Sequence, residues 1–407
     1  MIEIKPNFEI SGENIYKAFP AIKGKGLKFE RLVWTGMNTC AVFSSDSSNE
    51  VVYEVLSAGH NLTRPCLVMP NANEIYLPQA SLAWMGQPLL KALQNPSHEE
   101  IIIHKEVLRY RKQVILLNCI DFLYGHCLLK LLNAQRHLRD HASYGLVVIV
   151  PKFLRWMVPE GVSEIWTVEV PLSNGQKYYL ALDRFISTEL NRFERVLLSE
   201  SFLHPSSINI SDFTKVEKHR LSTANFRISY IWREDRLWID PLLSKLSRGL
   251  KKLIPLDFGA ILQGVKVKKL LCKLKQEFPN AKLTVVGFGK QYRFPDWIED
   301  CRVNSFTVDT EKRFCEIYAQ SRVVIGLHGS NMLLPSAHSG MTVNLLPDSR
   351  IGNFCQDILY HESNVRIAAF RYRFLPANLC VSYIVNTVSS MVRNYAWFSE
   401  SMTMDLP

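Results

Sequence analysis

Between Val323 and Met332 an apolar run with the look of a buried strand passes through Gly326-Leu327-His328-Gly329 into an apolar helical stretch that opens at Ser330 and Asn331. Such a junction suits an anion. Where a strand stops and a helix starts, unpaired backbone N–H groups and the positive end of the helix dipole point at one place. Gly329 lets a ligand come close to the backbone, and His328 sets an imidazole beside it. The same histidine would equally serve as a hydrogen-bonded structural residue at a strand end. A second chemical stretch closes the strand-like segment Phe226–Ile231, where Trp232 is followed by Arg233, Glu234, Asp235 and Arg236. A guanidinium at a strand's carboxyl end offers bidentate contact to phosphate, and a surface ion pair with Glu234 or Asp235 is the alternative. His126, near the start of an apolar helix, is either a base aimed at a ligand or a satisfied core histidine. Asp121 before it is another base or the helix N-cap. Gly287 to Lys290 follow a further strand. This turn lacks the third glycine of a dinucleotide loop and reads as a rim loop on which Lys290 or Arg293 meets a ligand.

Composition bounds the chemistry. The 407 residues, 47% hydrophobic and 21% charged, fit a folded protein of two α/β domains. The net charge of +10 favours anionic partners. Nine basic residues between Lys245 and Lys275 face a single acid, Asp257, which reads as a solvated face or as contact with an anionic membrane surface. No helix-turn-helix, zinc-finger or aromatic RNP signature accompanies the charge, so nucleic acid is not expected. The nine scattered cysteines, never spaced as Cys-x-x-Cys, read as buried thiols of a reducing compartment, and zinc is not expected. The start, Met1-Ile2-Glu3-Ile4-Lys5, has no signal-peptide pattern, and no apolar run has membrane-spanning length, so the expectation is a cytoplasmic protein, peripheral at most on the membrane's inner face. Two glycosylation sequons, at Asn61 and Asn209, carry little weight in that setting. There is no P-loop, nucleophile elbow or His-Glu-x-x-His.

These residues need elements to position them. The first hundred residues hold short β-like runs, 51–55 and 66–69, broken by Gly, Asn and Pro. From there the pattern becomes α/β: strand 114–117, helix 122–138, strand 146–150, with further strands at 178–182 and 195–198. Alternation of that kind implies a parallel sheet. After a Pro- and Ser-containing linker at 203–218 comes a second α/β series. It runs strand 226–231, helix 265–278, strand 283–287, helix 310–320, strand 323–326, helix 330–339 and strand 342–347, with a last apolar helix at 378–394. The expected domains are 1–215, including the β-rich 1–100, then 216–376, then a tail 377–407 that packs back on the first domain.

Three stretches share an order and spacing with a known family. They are Tyr124-Gly125-His126-Cys127-Leu128-Leu129, Ile228 through Arg233-Glu234-Asp235-Arg236, and Ile325 through Asn331 with Val343-Asn344-Leu345-Leu346-Pro347. Over roughly residues 110–350 the chain resembles glycosyltransferase family 61. The resemblance implies a GT-B fold, two Rossmann-like doubly wound domains facing a cleft. It also implies inverting, metal-independent transfer of a sugar from a nucleotide-sugar, with no cofactor, to a glycan, lipid-linked or other hydroxyl acceptor in polysaccharide or glycoconjugate synthesis. Ser330-Asn331-Met332 replaces the family's Ala-Gly-Leu, Asn344 stands where an acid is common, and Lys130 where Asp is common. These departures bear on the donor sugar. On this reading His126 or Asp121 is the base, while Arg233, Asp235, Arg236, Gly287, Lys290, His328, Gly329, Ser330 and Asn331 hold the donor, UDP-linked in expectation. The competing readings are a polysaccharide pyruvyltransferase using phosphoenolpyruvate and a silent scaffold or membrane-surface binding protein that keeps the fold.

Overall fold

The computed structural model describes residues 1–6, 8, 19, 26–45, 48–59, 65–77, 81–201, 208–221, 226–240, 243, 247, 257–359 and 362–403. The sequon at 61–63, the first part of the 203–218 stretch, and Lys245, Arg248, Lys251 and Lys252 lie outside them. Chain contacts separate Met1–Pro205 from Ser206–Pro407. That division falls within 203–218, ahead of residue 215.

The first unit holds two sheets. Strands β1 (Ile2–Lys5), β2 (Leu27–Thr35), β3 (Asn38–Ser45), β4 (Ser48–Val55), β5 (Leu67–Met69) and β6 (Glu74–Tyr76) open it, and β2 to β6 form an antiparallel meander. Both faces of the meander are covered, which follows from its period of two. Val33, Cys40, Val42 and Val68 pack with Leu89 and Leu93 of helix α1 (Gln87–Gln94). Trp34, Ala41, Phe43 and Leu67 pack instead with Val114, Leu116, Val147 and Ile149 of the second sheet. That sheet comprises β7 (Ile103–Val107), β8 (Gln113–Asn118), β9 (Gly145–Pro151), β10 (Glu164–Val168) and β11 (Arg195–Leu198), with β1 at one edge. Its order is β1-β11-β8-β9-β10-β7, the four inner strands parallel and both edge strands antiparallel. Helices α2 (Tyr124–Asp140) and α3 (Leu180–Leu190) complete the unit. The expected strand 178–182 is mostly helix, because Leu182 and Ile186 bury one side at helical spacing.

The second unit is a six-stranded, all-parallel sheet. Its elements are β12 (Arg227–Trp232), helix α4 (Phe258–Glu277), β13 (Lys282–Gly287), β14 (Glu299–Asp300), helix α5 (Val308–Gln320), β15 (Ser321–Leu327), helix α6 (Leu333–His338), β16 (Met341–Leu346), helix α7 (Val365–Arg371), β17 (Tyr372–Pro376) and helix α8 (Val381–Thr403). The order β14-β13-β12-β15-β16-β17 reads 3-2-1-4-5-6, the doubly wound Rossmann arrangement. The inner strands are buried on both faces, so their apolar residues do not alternate strictly and the polar ones among them, Ser229, Thr342 and Asn344, are enclosed as well. Helix α4 starts earlier than its apolar period suggests, since the Asp257 carboxylate caps the Ala260 N–H at 3.0 Å. Helix α8 runs longer than 378–394, and its Ile384, Val388 and Met391 share a core with Val267, Leu270 and Leu274 of α4, inside the second unit. The expected helix 330–339 is a single 3-10 turn, Ser330–Met332, followed by the six residues of α6. No described helix is long and apolar enough to cross a membrane.

Candidate functional site

In an open doubly wound sheet the crevice for ligands opens at the carboxyl ends of the strands, where the strand order reverses. In the second unit that point lies between β12 and β15, and both chemical stretches of this half arrive there. β12 ends at Trp232 and delivers Arg233 to Arg236; β15 ends at Leu327 and delivers His328 to Asn331. Both guanidiniums converge on Gly329. A Cβ at that position would lie 2.5 Å from Arg233 Nη1 and 3.2 Å from Arg236 Nη1. Its backbone, φ 153° and ψ 174°, belongs to a region only glycine occupies at ease.

The partners fix each group. Arg233 Nη1 donates to Asn331 Oδ1 at 2.5 Å, while its Nε and Nη2 donate to the two oxygens of the exposed Asp235 at 2.9 and 2.5 Å. The ion pair offered as Arg233's alternative is therefore present, and it sits at the same place as the contact to the turn. Arg236 Nη1 donates to the His328 carbonyl at 2.6 Å. Gln263 of α4 donates to the Arg233 carbonyl and accepts from the Trp238 N–H, holding the loop between them. Burial, with the nearby charges of Arg233 and Arg350, lowers the proton affinity of Arg236. Asp235 and Asp357 act on Arg236 in the opposite sense and more weakly than Arg233 and Arg350, so cationic charge prevails at the Arg236 guanidinium.

His328 itself is buried, with 1% of its surface exposed. Its Nε2 donates to the Asn353 carbonyl at 2.8 Å and lies 3.5 Å from Asp357 Oδ2, and its ring meets Phe374 edge-on. The imidazole thus ties down the segment 348–357 that carries Arg350. One ring nitrogen is thus held structurally, while Nδ1 is enclosed without a hydrogen-bond partner, and the backbone of the turn faces the guanidiniums. With α6 only six residues long, positive charge here comes from side chains more than from a helix dipole. Gly287 (φ 125°) is required by packing, since a Cβ there would lie 2.1 Å from the Trp232 carbonyl oxygen. Lys290 is exposed; the Asp300 carboxyl beyond it, which burial would raise, is held low chiefly by its bonds to Arg302, with Lys290 adding the smallest share. Asn344 is buried within β16, where it donates to Thr342 Oγ1. Of the cationic run after 245, Lys266 sits over Trp238, Lys273 reaches Ser382 and Lys275 caps carbonyls at Pro279 and Ala281. Arg350, Gln263 and Asp357 carried no motif that sequence reasoning could catch.

The first unit repeats the arrangement on a smaller scale. Its parallel strands run β11-β8-β9-β10, so the order reverses between β8 and β11, and Asp121 and His126 follow the end of β8. Asp121 Oδ1 accepts from the N–H groups of Phe122 and Leu123 and from His126 Nδ1 at 3.2 Å. Lys130 Nζ lies 3.0 Å from Oδ2, off the hydrogen-bonding line, and donates to the Ile120 carbonyl at 2.8 Å. Burial alone would raise the pKa of this carboxyl; the Lys130 ammonium and the His126 bond outweigh it and hold the pKa well below the usual range. Asp121 is therefore anionic, with its side chain fully enclosed. It shapes the turn before α2, close to the capping role, and it orients His126. The Asp121 bond to Nδ1 places the basic lone pair of the imidazole on Nε2. Around the pair, Asn118 Nδ2 donates to the Gly36 carbonyl and Met37 N–H to the Gly175 carbonyl, interlocking three loops. A cavity of about 20 Å³ beside Asn118, Asp121, Lys130 and Ser199 has room for about one water.

Among the described residues no cluster of three His, Cys, Asp or Glu is placed to hold a metal ion.

No family of known sequences and no curated protein matches the chain. Solved structures with some similarity include the ADP-heptose lipopolysaccharide heptosyltransferase II of E. coli, at 9% identity and a TM-score of 0.40 over 69% of this chain and 98% of that one. TarM is similar at 10% identity, with a TM-score of 0.26 over 97% of this chain and 78% of its own. The GtfA/B complex is similar at 9% identity, with a TM-score of 0.23 over 95% and 80%. Superpositions of that quality leave the functional reading to the chain's own geometry.

Proposed function

We propose that the protein is an inverting glycosyltransferase of the GT-B kind, related to family 61, that moves a sugar from a nucleotide-sugar, UDP-linked by preference, to a hydroxyl of a glycan or lipid-linked acceptor. The observation that carries this reading is the convergence of Arg233 and Arg236 on Gly329 at the switch point of a 3-2-1-4-5-6 sheet, with Arg350 beside them. That constellation matches a diphosphate in charge and in backbone access. The base we assign to the acceptor hydroxyl is His126, on the strength of the family resemblance and of the Asp121 bond that leaves its lone pair on Nε2. The oxygen attacks the anomeric carbon from the face opposite the diphosphate, and the bond from that carbon to the phosphate oxygen breaks. The guanidiniums and the N–H groups of Gly329 and Ser330 receive the charge that develops on the leaving group. Asp121, through Nδ1, stabilises the imidazolium formed. The guanidiniums supply the positive charge needed at the diphosphate, which supports transfer without a metal.

The test is thermal unfolding with UDP-, GDP-, CDP- and CMP-sugars and with phosphoenolpyruvate, with and without EDTA. A ligand at a hundred times its Kd adds about 2.7 kcal/mol to stability, so a bound nucleotide raises Tm measurably. The expected result is a rise with one diphosphate class that persists in EDTA and disappears in Arg236→Ala. A rise with phosphoenolpyruvate alone would replace this reading with pyruvyl transfer, and no rise with any ligand would leave a fold without the activity.

A further inference from the structure

A short segment of the first unit, between β7 and β8, exposes apolar and cationic side chains together. Val107, Leu108 and Tyr110 are 49%, 59% and 60% exposed, and Ile102, just before the same edge strand, is 59% exposed. Between and beside them Arg109, Arg111 and Lys112 are also exposed. The segment is held in place. The N–H groups of Leu108 and Arg109 both donate to the Ser163 carbonyl, at 2.9 and 3.0 Å, and the Arg111 stem lies so close to Gly145 that a Cβ there would approach within 2.7 Å of it. A fixed loop that turns leucine and tyrosine outward pays a hydration cost that its own unit does not relieve.

We infer that the loop 107–112 docks the first unit on an anionic membrane surface. The occupant follows from the chemistry. Leucine and valine suit the acyl boundary, tyrosine suits the headgroup level, and the flanking guanidiniums suit lipid phosphates while their stems lie along the apolar side. Lys112 is engaged with the exposed Glu194, so Arg109 and Arg111 carry most of the attraction. A second copy pairing through the edge strand β7 fits less well. Residues 103–112 carry Lys105, Arg109, Arg111 and Lys112 against one carboxylate, Glu106, so two copies would bring like charge together. The surface is distinct from the lysines of α4 and does not depend on what the protein transfers.

Co-sedimentation with vesicles of phosphatidylcholine alone, or with about a third phosphatidylglycerol, tests it on the full chain. The wild type is expected to pellet with the anionic vesicles only and to be released as salt rises from about 0.1 to about 0.5 M. Leu108→Ser/Tyr110→Ser and Arg109→Gln/Arg111→Gln should each cut the bound fraction by roughly five-fold or more, with unchanged Tm, whereas Lys268→Gln/Lys269→Gln should bind as the wild type does. The inference is overturned if the wild type stays in the supernatant, if either loop variant binds undiminished, or if the α4 variant alone abolishes binding. Light scattering that shows a dimer broken by the loop variants would assign the surface to a second copy and overturn it as well.

Discussion

At the scale of single residues, Asp235 has the most direct consequence for binding. Its carboxylate is 69% exposed and sits on the fork of the Arg233 guanidinium, where a phosphate of the donor would sit. Arg233 is only 15% exposed and the fork is bidentate, but the Asp235 side open to water can be exchanged for a phosphate that makes the same two bonds. Asp235→Asn should therefore tighten binding of the nucleotide diphosphate by up to about five-fold in calorimetric titration, and a weaker affinity would mean that Asp235 itself contacts the ligand. Gly329→Ala should do the opposite. The backbone strain costs about 1–3 kcal/mol, and the new methyl, 2.5 Å from Arg233 Nη1, would push the guanidinium off the turn, so nucleotide affinity falls more than stability does. In the first unit, Asp121→Asn leaves Lys130, 5% exposed, as an enclosed cation without its counter-charge. The expected loss is about 3–5 kcal/mol in urea unfolding, with much of it restored in Asp121→Asn/Lys130→Met. His126→Ala, by contrast, should keep its stability and lose transfer by about a hundred-fold or more. Equal stability in Asp121→Asn and the wild type would remove the anionic Asp121 from the account.

At the scale of elements, the two reversals of strand order explain why the chemical residues gather where they do. β12 and β15 are neighbours and parallel, with Ile231 opposite Gly326, so the residues that follow them emerge side by side although nearly a hundred positions separate them. That much was legible in the chain, because strands buried on both faces are rich in β-branched and aromatic residues and the polar clusters after them mark the carboxyl ends. Helices with weak starts were harder to read. α4 begins under an Asp257 cap well before Val265, and α3 replaces the strand expected at 178–182 because only its contacts decide between the two periods. The segment 348–357 could not be read, since its place is set by contacts distant in sequence: the His328 bond to the Asn353 carbonyl, the His328 approach to Asp357 and the packing of Phe354 on Phe374. Gly287 illustrates the same limit. Its residue type agrees with a ligand turn, but its Cβ position is filled by the Trp232 backbone on the adjacent strand. Gly287→Ala should accordingly destabilise the second unit by several kcal/mol, and variants that suppress this loss elsewhere in the unit should bind nucleotide normally. Wild-type stability with lost binding would return Gly287 to the ligand.

At the scale of the whole molecule, the two units differ in how they respond to acid. His137 of the first unit and His338 of the second are both held down to about 4, in each case chiefly by burial. An unfolded histidine titrates near 6.5, so between about 6.5 and 4 the unfolded chain binds more protons than the folded one. Stability then falls as pH falls, by up to about 1.4 kcal/mol per unit for each histidine. The first unit carries an opposing group. Burial pushes Glu54 up to about 7, and its Oε2 is enclosed without a hydrogen-bond partner. A carboxyl raised in the folded state adds stability that is present at low pH and lost as pH rises through 7, the reverse of the histidine effect. In the second unit His219 is lowered as well, again first by burial, and acts in the same direction as His338. Asp121 enters only below its ordinary carboxylate range, where protonation removes its contribution. Acidification from pH 7 to 5 should therefore lower the unfolding temperature of the second unit more than that of the first. Scanning calorimetry at the two pH values, with hydrogen exchange of β9 and β15 peptides to assign the transitions, checks the order. If the first unit softens as much as the second, Glu54 does not carry the proton that its enclosure implies; Glu54→Gln, which mimics the protonated form, should then leave the pH dependence of the first unit unaltered instead of steepening it.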